Sequence, residues 1–310
     1  MRFLVLGAGA LGGYFGGKLL KGGADVTFLV RPKRAAQFAE RGLVLKTQDE
    51  EIRRPAKTLL AGQIDGAYDV ILLCCKSYDL AEAIAAIAPA VGPRSVVLPL
   101  LNGIKHISTL TDRFGPDRVL GGVAAVNAVL MPNGDVVQTP VKIDMTAFGE
   151  LSGGRSARCA DIHRAFVAGG LPGAVSEDII ASLWAKFFAF ACIAAIATLT
   201  RARAGTVARS PSAATFVAAV IEECARVVAA EGYPAPNDVA EIVRSLFAQR
   251  DYNYGPSILV DMEEGRPTEG EHTIGDLVER ATRRGVAVPI LTAALRNLQA
   301  YELGRALRRP

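Results

Sequence analysis

The sequence predicts an α/β protein in which a doubly wound parallel sheet is followed by an all-helical domain. Three observations carry that prediction. The chain opens as strand, glycine turn, helix and strand: Phe3 to Leu6 is apolar, Gly7-Ala8-Gly9-Ala10-Leu11-Gly12 follows, a helix-like segment reaches Leu20, and Asp25 to Val30 is the second strand. Apolar runs at Val70 to Cys75 and Ser95 to Leu101 flank an Ala-rich helical stretch, which continues the βαβ order. From Ser176 onward only helical periods appear. The first part is therefore expected to be a Rossmann-type domain over residues 1–172, and residues 173–310 a helical domain. The break is expected at the backbone breakers Gly169-Gly170-Leu171-Pro172-Gly173.

Taken in order, Lys33 to Arg41 reads as helix and Gln48 to Arg54 as a charged stretch. Val70 to Cys75, after Asp69, is apolar at every position, as a parallel strand covered on both faces must be. Leu80 to Ala90 is the crossover helix, ending at Pro89, and the next strand leaves at Leu101-Asn102-Gly103. Valine-rich pieces between Val119 and Gly149, split by a hairpin-type turn at Pro132-Asn133-Gly134-Asp135, are expected to complete the first sheet. Helical periods then cover Glu177 to Thr200, Thr206 to Glu231, Asp238 to Arg250 and Thr273 to Arg284. Ser176 is the expected N-cap of the first, with Glu177 and Asp178 in its positively polarised first turn.

The opening turn has the chemistry of a pyrophosphate site. Gly7 allows the tight bend, Gly9 lets backbone approach the phosphates, and Gly12 brings helix close to strand, so Gly7, Ala8, Gly9, Ala10, Leu11 and Gly12 are expected to line a dinucleotide. A chain that binds NAD usually offers a carboxylate about twenty residues on, for the ribose 2′-hydroxyl. Here that position is Arg31, with Lys33 and Arg34 beside it and Lys76 ending the third apolar run. Such a tip suits the extra phosphate of NADP, so NADPH is the expected cofactor. The alternative is a solvated basic turn.

Composition narrows the partners. Across 310 residues, 35 basic and 31 acidic side chains leave a net charge of +4, which is no nucleic-acid footprint. The N-terminus reads as a core strand and not a leader, and the longest apolar run, Phe187 to Leu199, is too short to span a bilayer. A cytoplasmic location without membrane or nucleic-acid partners is expected. Five cysteines lack metal-ligand spacing: Cys74 and Cys75 lie in a strand pattern, and Cys192 and Cys224 in helical ones. His106, His163 and His272 show no pattern with them, and no metal is expected.

Chemistry-bearing positions outside the turn are few. Asn102 follows a strand, where ligands gather in open α/β sheets, though a plain turn Asn fits equally. Lys186 interrupts an apolar helix at Leu183-Trp184-Ala185-Lys186-Phe187-Phe188; burial would depress its pKa toward a range useful for proton transfer, whereas a snorkelling lysine at the helix edge is the plainer reading. The stretch Gly255 to Glu269 reads as a short helix and a loop. In it Ser257 could hold a substrate carboxylate, and Thr268-Glu269 alone reads as a solvated helix start.

Together these motifs, in order along nearly the whole chain, resemble the ketopantoate reductase family. The resemblance implies reduction of the keto group of a 2-oxo acid by NADPH, most directly 2-dehydropantoate (ketopantoate) to pantoate. It further implies that Lys186 is the general acid and that Asn102 orients substrate and nicotinamide. Ser257 would meet the substrate and Glu269 the cofactor ribose, and Ala128 joins Arg31 and Lys76 among the cofactor-binding positions. The implied partners are a small 2-oxo acid and a possible homodimer, with residues 173–310 as the substrate and dimerisation domain. The family's Asn positions one and two turns after the lysine are Phe190 and Ala194 here, and a further Asn position is Tyr254, with Asn253 adjacent. A more apolar 2-oxo acid is therefore the alternative substrate. The runner-up enzyme is another dehydrogenase of similar architecture, and a non-catalytic NADPH-binding regulator is the alternative of another class.

Overall fold

A computed structural model describes residues 1–139 and 145–308. The chain divides into two compact units, one of Met1–Leu101 with His106–Leu183, the other of Asn102–Lys105 with Trp184–Pro310.

In the first unit, strand β1 (Arg2–Leu6), helix α1 (Ala10–Lys21) and strand β2 (Asp25–Leu29) form the expected opening, and helix α2 (Pro32–Arg41) starts with Pro32, whose fixed φ suits a first helical turn. Strands β3 (Leu43–Lys46), β4 (Glu51–Arg54) and β5 (Lys57–Leu59) follow, then β6 (Val70–Leu73), α3 (Leu80–Ile87) and β7 (Val96–Pro99). The remainder holds α4 (Lys105–Phe114), β8 (Leu120–Ala125), β9 (Ala128–Leu130), β10 (Val136–Gln138), β11 (Met145–Glu150), α5 (Ala157–Ala168) and β12 (Ala174–Val175). The main sheet is parallel with order β5-β2-β1-β6-β7, so β2 and β6 flank β1. Its side chains alternate between two cores: Phe3, Val5, Val70 and Leu72 enter one, Leu4, Leu6, Ile71 and Leu73 the other, all buried. Burial on both faces explains why these strands read as unbroken apolar runs.

The valine-rich pieces do not complete this sheet. β9 and β10 pair antiparallel across the predicted turn, where the Met131 N–H donates to Asp135 O at 2.8 Å, and join β3 and β4 in a separate four-stranded sheet. β8, β11 and β12 make a three-stranded one, linked to the main sheet by a single parallel bridge, Val97 to Val119. Residues 140–144 of that stretch lie outside the described residues.

Helix α6 (Ile179–Thr200) starts after the expected Ser176 cap. Asp178 caps it instead, its Oδ1 accepting from the Ala181 N–H at 3.0 Å, while Ser176 Oγ accepts from the Asp178 N–H. Its first turns pack in the first unit: a Cβ on Gly121 would fall 2.7 Å from the Ile179 side chain. The units accordingly divide within α6, between Leu183 and Trp184, later than the glycine-rich break at 169–173.

The second unit continues with α7 (Ala204–Arg209), α8 (Ala213–Ala230), α9 (Asn237–Leu246), α10 (Ser257–Glu263), a π-helical turn (Glu271–Gly275), α11 (Asp276–Arg284) and α12 (Pro289–Leu307). The helical period read over Thr206 to Glu231 is two helices, because Pro211 cannot continue a helix and Ser212 takes a left-handed φ of 57°. Buried Glu223 on α8 receives the Ile290 and Leu291 N–H groups at 3.0 Å each, fixing the start of α12. By length and hydropathy, 2.1 over its best window, α6 could cross a membrane, yet 56% of that window is buried within the chain. Phe187, Phe188, Ala191 and Cys192 are among its buried side chains.

Candidate active site

Two glycines of the turn are pressed against backbone and the third faces open space. Gly7 sits at φ +90°, which only glycine adopts without strain, and a Cβ on it would meet Cys74 O at 3.0 Å. A Cβ on Gly12 would fall 1.9 Å from Gly7 O, so helix and turn touch backbone to backbone. Around Gly9 nothing lies within 4 Å, and α1 starts there with no side-chain cap and no acidic residue in its first turn. Open space beside uncapped, positively polarised N–H groups fits a pyrophosphate.

The basic tip is arranged differently from its sequence. Arg31 is at the surface, its side chain 69% exposed, but its Nη2 lies 3.1 Å from Glu82 Oε2 and 3.4 Å from Asp79 Oδ1. Those carboxylates raise its pKa further above the usual arginine value. Arg34 turns inward: its Nε donates to Ala8 O at 2.9 Å, and its Nη1 to Gly134 O at 2.8 Å and Gln37 Oε1 at 3.0 Å. Burial lowers its pKa to about 10, which still leaves it protonated at neutral pH. Arg34 therefore ties the glycine turn to the β9–β10 hairpin and does not belong to the surface tip. Lys76 is half-buried beyond the carboxyl end of β6, which stops at Leu73. Cys74 and Cys75 likewise follow that strand and do not lie within it. Half-buried Ala128 opens β9 and pairs in register with Gln138.

The second unit brings Lys186 and Glu269 together. Lys186 Nζ is enclosed and has no hydrogen-bond partner among the described residues. Burial lowers its pKa to about 8, opposed by the charge of Glu269. Glu269 is only 5% exposed, so the loop residue that reads as a solvated helix start is in fact interior. Its carbonyl accepts from Thr273 Oγ1 at 2.8 Å, and Thr268 is held through its N–H and hydroxyl by Glu302 Oε1. The same loop runs into the π-helical turn that carries His272, whose pKa burial lowers. Asn102 is half-buried, and the following Gly103 (φ +83°) leaves a would-be Cβ only 3.0 Å from His272 O. Asn102 is thus placed beside the segment bearing Glu269.

Ser257 is exposed at the first position of α10 and makes no hydrogen bond among the described residues. Of the positions one and two turns beyond Lys186, Phe190 is half-buried and Ala194 fully buried, so of the two only Phe190 retains some surface for a ligand. Tyr254, stacked on Tyr252 at 5.8 Å, is half-buried, and Asn253 is exposed. Among the described residues no three His, Cys, Asp or Glu side chains gather as a metal site. Asp79 and Glu82 escaped the sequence reading. Their signal was an acidic pair at helical spacing just past Lys76, which becomes meaningful only once β6 is known to lie one strand from β2.

Residues 3–153 match the model of the ketopantoate reductase PanE/ApbA family, and residues 178–302 that of its C-terminal part. The chain is 34% identical over 302 residues to the uncharacterized oxidoreductase YkpB of Bacillus subtilis, covering 97% of this chain and 99% of that one. A PanE/ApbA family ketopantoate reductase from Ralstonia eutropha superposes with a TM-score of 0.89 at 26% identity, over 99% of this chain and 100% of its own. A D-mandelate dehydrogenase solved with NADH and anilino(oxo)acetate shares the fold with a TM-score of 0.89 at 22% identity, over 99% and 100% of the two chains. With both halves of the family pattern matched in order, the chain is an oxidoreductase that belongs to the ketopantoate reductase family.

Proposed function

We propose that this protein reduces the keto group of a 2-oxo acid to a 2-hydroxy acid with a nicotinamide dinucleotide, NADPH being the donor that Arg31 accommodates. The observation that carries the proposal is the enclosed, unpartnered ammonium of Lys186 beside Glu269. A buried cation without a partner is costly unless something else on the reaction path satisfies it, and a keto oxygen does so.

The glycine turn and Arg31, within residues 1–172, hold the dinucleotide, while residues 173–310 supply the acid and most substrate contacts. When bound, the nicotinamide supplies hydride to the keto carbon. Lys186 donates a hydrogen bond to the keto oxygen, stabilises the negative charge that builds there, and passes its proton to it. Its lowered pKa eases that release, while the Glu269 charge keeps it protonated near neutral pH. Asn102 orients substrate and nicotinamide, Glu269 and Ala128 contribute to the cofactor site, and Ser257 receives the substrate carboxylate.

Ketopantoate is the leading substrate, and half-buried Phe190 supports a more apolar 2-oxo acid as the second reading. A cytoplasmic setting is consistent with both. Oxidation of NADPH followed by absorbance across a panel of 2-oxo acids tests the proposal. Turnover of at least one acid, lost in Lys186→Ala with the dinucleotide still bound, is the expected result. Undiminished turnover by that variant would overturn it.

A further inference from the structure

We infer that Asp79 and Glu82 are the residues that set dinucleotide preference, by competing with a ribose 2′-phosphate for Arg31 and by offering carboxylates to an unphosphorylated ribose. The inference rests on the proposed dinucleotide site and concerns its selectivity.

The sheet order explains how the three meet. With β2 and β6 on either side of β1, the segments leaving their carboxyl ends emerge on the same edge of the sheet, where dinucleotides lie in open α/β folds. Arg31 follows β2, and Asp79 and Glu82 follow β6, Asp79 closing the short turn Ser77–Asp79 and Glu82 lying in the first turn of α3. Both carboxylates reach the same guanidinium nitrogen, at 3.4 and 3.1 Å. Arg31 has no other charged partner among the described residues.

A 2′-phosphate arriving at Arg31 must therefore displace a carboxylate or sit next to two of them. Either course costs part of what the arginine contributes, since like charges at such separations repel even near water. An NAD ribose has the opposite need. Its 2′-hydroxyl seeks an acceptor, which many NAD-binding chains place at the end of the second strand. Arg31 occupies that position here, and Asp79 and Glu82 bring the acceptor from beyond β6, on the other side of β1. The site then takes both dinucleotides, with NADP favoured narrowly.

Dissociation constants for NADP⁺ and NAD⁺, measured by calorimetry at fixed moderate salt, test this on the full chain without any turnover. The wild type should bind the two within about tenfold of each other, roughly 1.4 kcal/mol. Asp79→Asn with Glu82→Gln keeps the side-chain shapes and removes the charge; it should tighten NADP⁺ about tenfold and leave NAD⁺ unchanged or weaker. Adding Arg31→Ala to that variant should cancel the NADP⁺ gain. A ratio unmoved by the double change, or a gain that survives loss of Arg31, overturns the inference while leaving the dinucleotide site standing. Failure of the wild type to bind either dinucleotide overturns the site itself, and the inference with it.

Discussion

Arg31 and Lys186 are the two cations on which the proposed reaction depends, and the molecule holds them in opposite ways. Arg31 is at the surface of the first unit with two carboxylates around it, whereas Lys186 is enclosed in the second with no hydrogen-bond partner among the described residues. An exposed pair in high dielectric contributes little and exchanges readily, so it can tune which ligand is preferred. An enclosed ammonium cannot relax its charge into water, so its proton is available to a reacting oxygen. On the proposed reading, selectivity and chemistry fall to cations in different environments, and each should be open to perturbation without the other.

The largest effect is expected at Lys186. Replacing it with Ala should lower kcat by about a hundredfold to ten-thousandfold while dinucleotide affinity stays near wild type; a loss under tenfold would assign the proton to another group. In the wild type kcat should fall as pH rises through about 8, where Lys186 loses its proton. The folded pKa lies below the unfolded one, so burial of the charged form destabilises the native state at neutral pH, and that penalty is relieved between pH 8 and 10.5. Lys186→Met should therefore be more stable at pH 7 by up to about 3 kcal/mol, from about 1.36 kcal/mol per pKa unit, and the gap should close over that window. Denaturant midpoints at pH 7 and 10 would show it, and a constant gap would contradict the burial argument.

Next in size is Gly12→Ala, whose methyl would meet Gly7 O at 1.9 Å and force helix from turn. Dinucleotide affinity should drop at least about tenfold, since phosphate binding needs those backbone N–H groups in place, while Lys186 keeps its depressed pKa. Calorimetry on the variant checks the first, and a pH profile of residual activity the second. Arg31→Ala should be milder, weakening NADPH about fivefold, below a full charge-assisted contact, because Asp79 and Glu82 already neutralise the arginine. A fifty-fold loss in titrations of both cofactors would mean that these pairs dissolve at no cost. Smallest should be Phe190→Asn, shifting kcat/KM toward ketopantoate by about two- to fivefold through one added hydrogen bond. Ala194→Asn is no equivalent test, since Ala194 is fully buried and the amide would enter the core.

The same contrast governs what the sequence revealed. The glycine turn is legible because its determinants are local: three glycines, one strand and one helix fix a backbone path by themselves. β6 and β7 are legible because burial on both faces leaves no polar position in them. In β4 only Ile52 is buried, so that strand looks like charged loop. Arg34 could not be told from Arg31, since its burial depends on a hairpin distant in sequence, and Asp79 and Glu82 acquired meaning only from strand order. Lys186 stood out as a charge in an apolar helix, but its neighbour Glu269 looked solvated until the packing of its loop was seen.

The Arg34 tie bears on how the chain can change length. Hairpin tips are where insertions are ordinarily tolerated, and Pro132 to Asp135 looks like such a place. Gly134, however, lends its carbonyl to buried Arg34, whose Nε holds Ala8 in the glycine turn. Lengthening the tip would withdraw that acceptor and leave a buried guanidinium N–H unpaired, at a cost of about 1 to 3 kcal/mol. Insertions are therefore expected to be accepted at an exposed turn such as that at Gly62, where a would-be Cβ meets nothing within 4 Å, and rejected at this one.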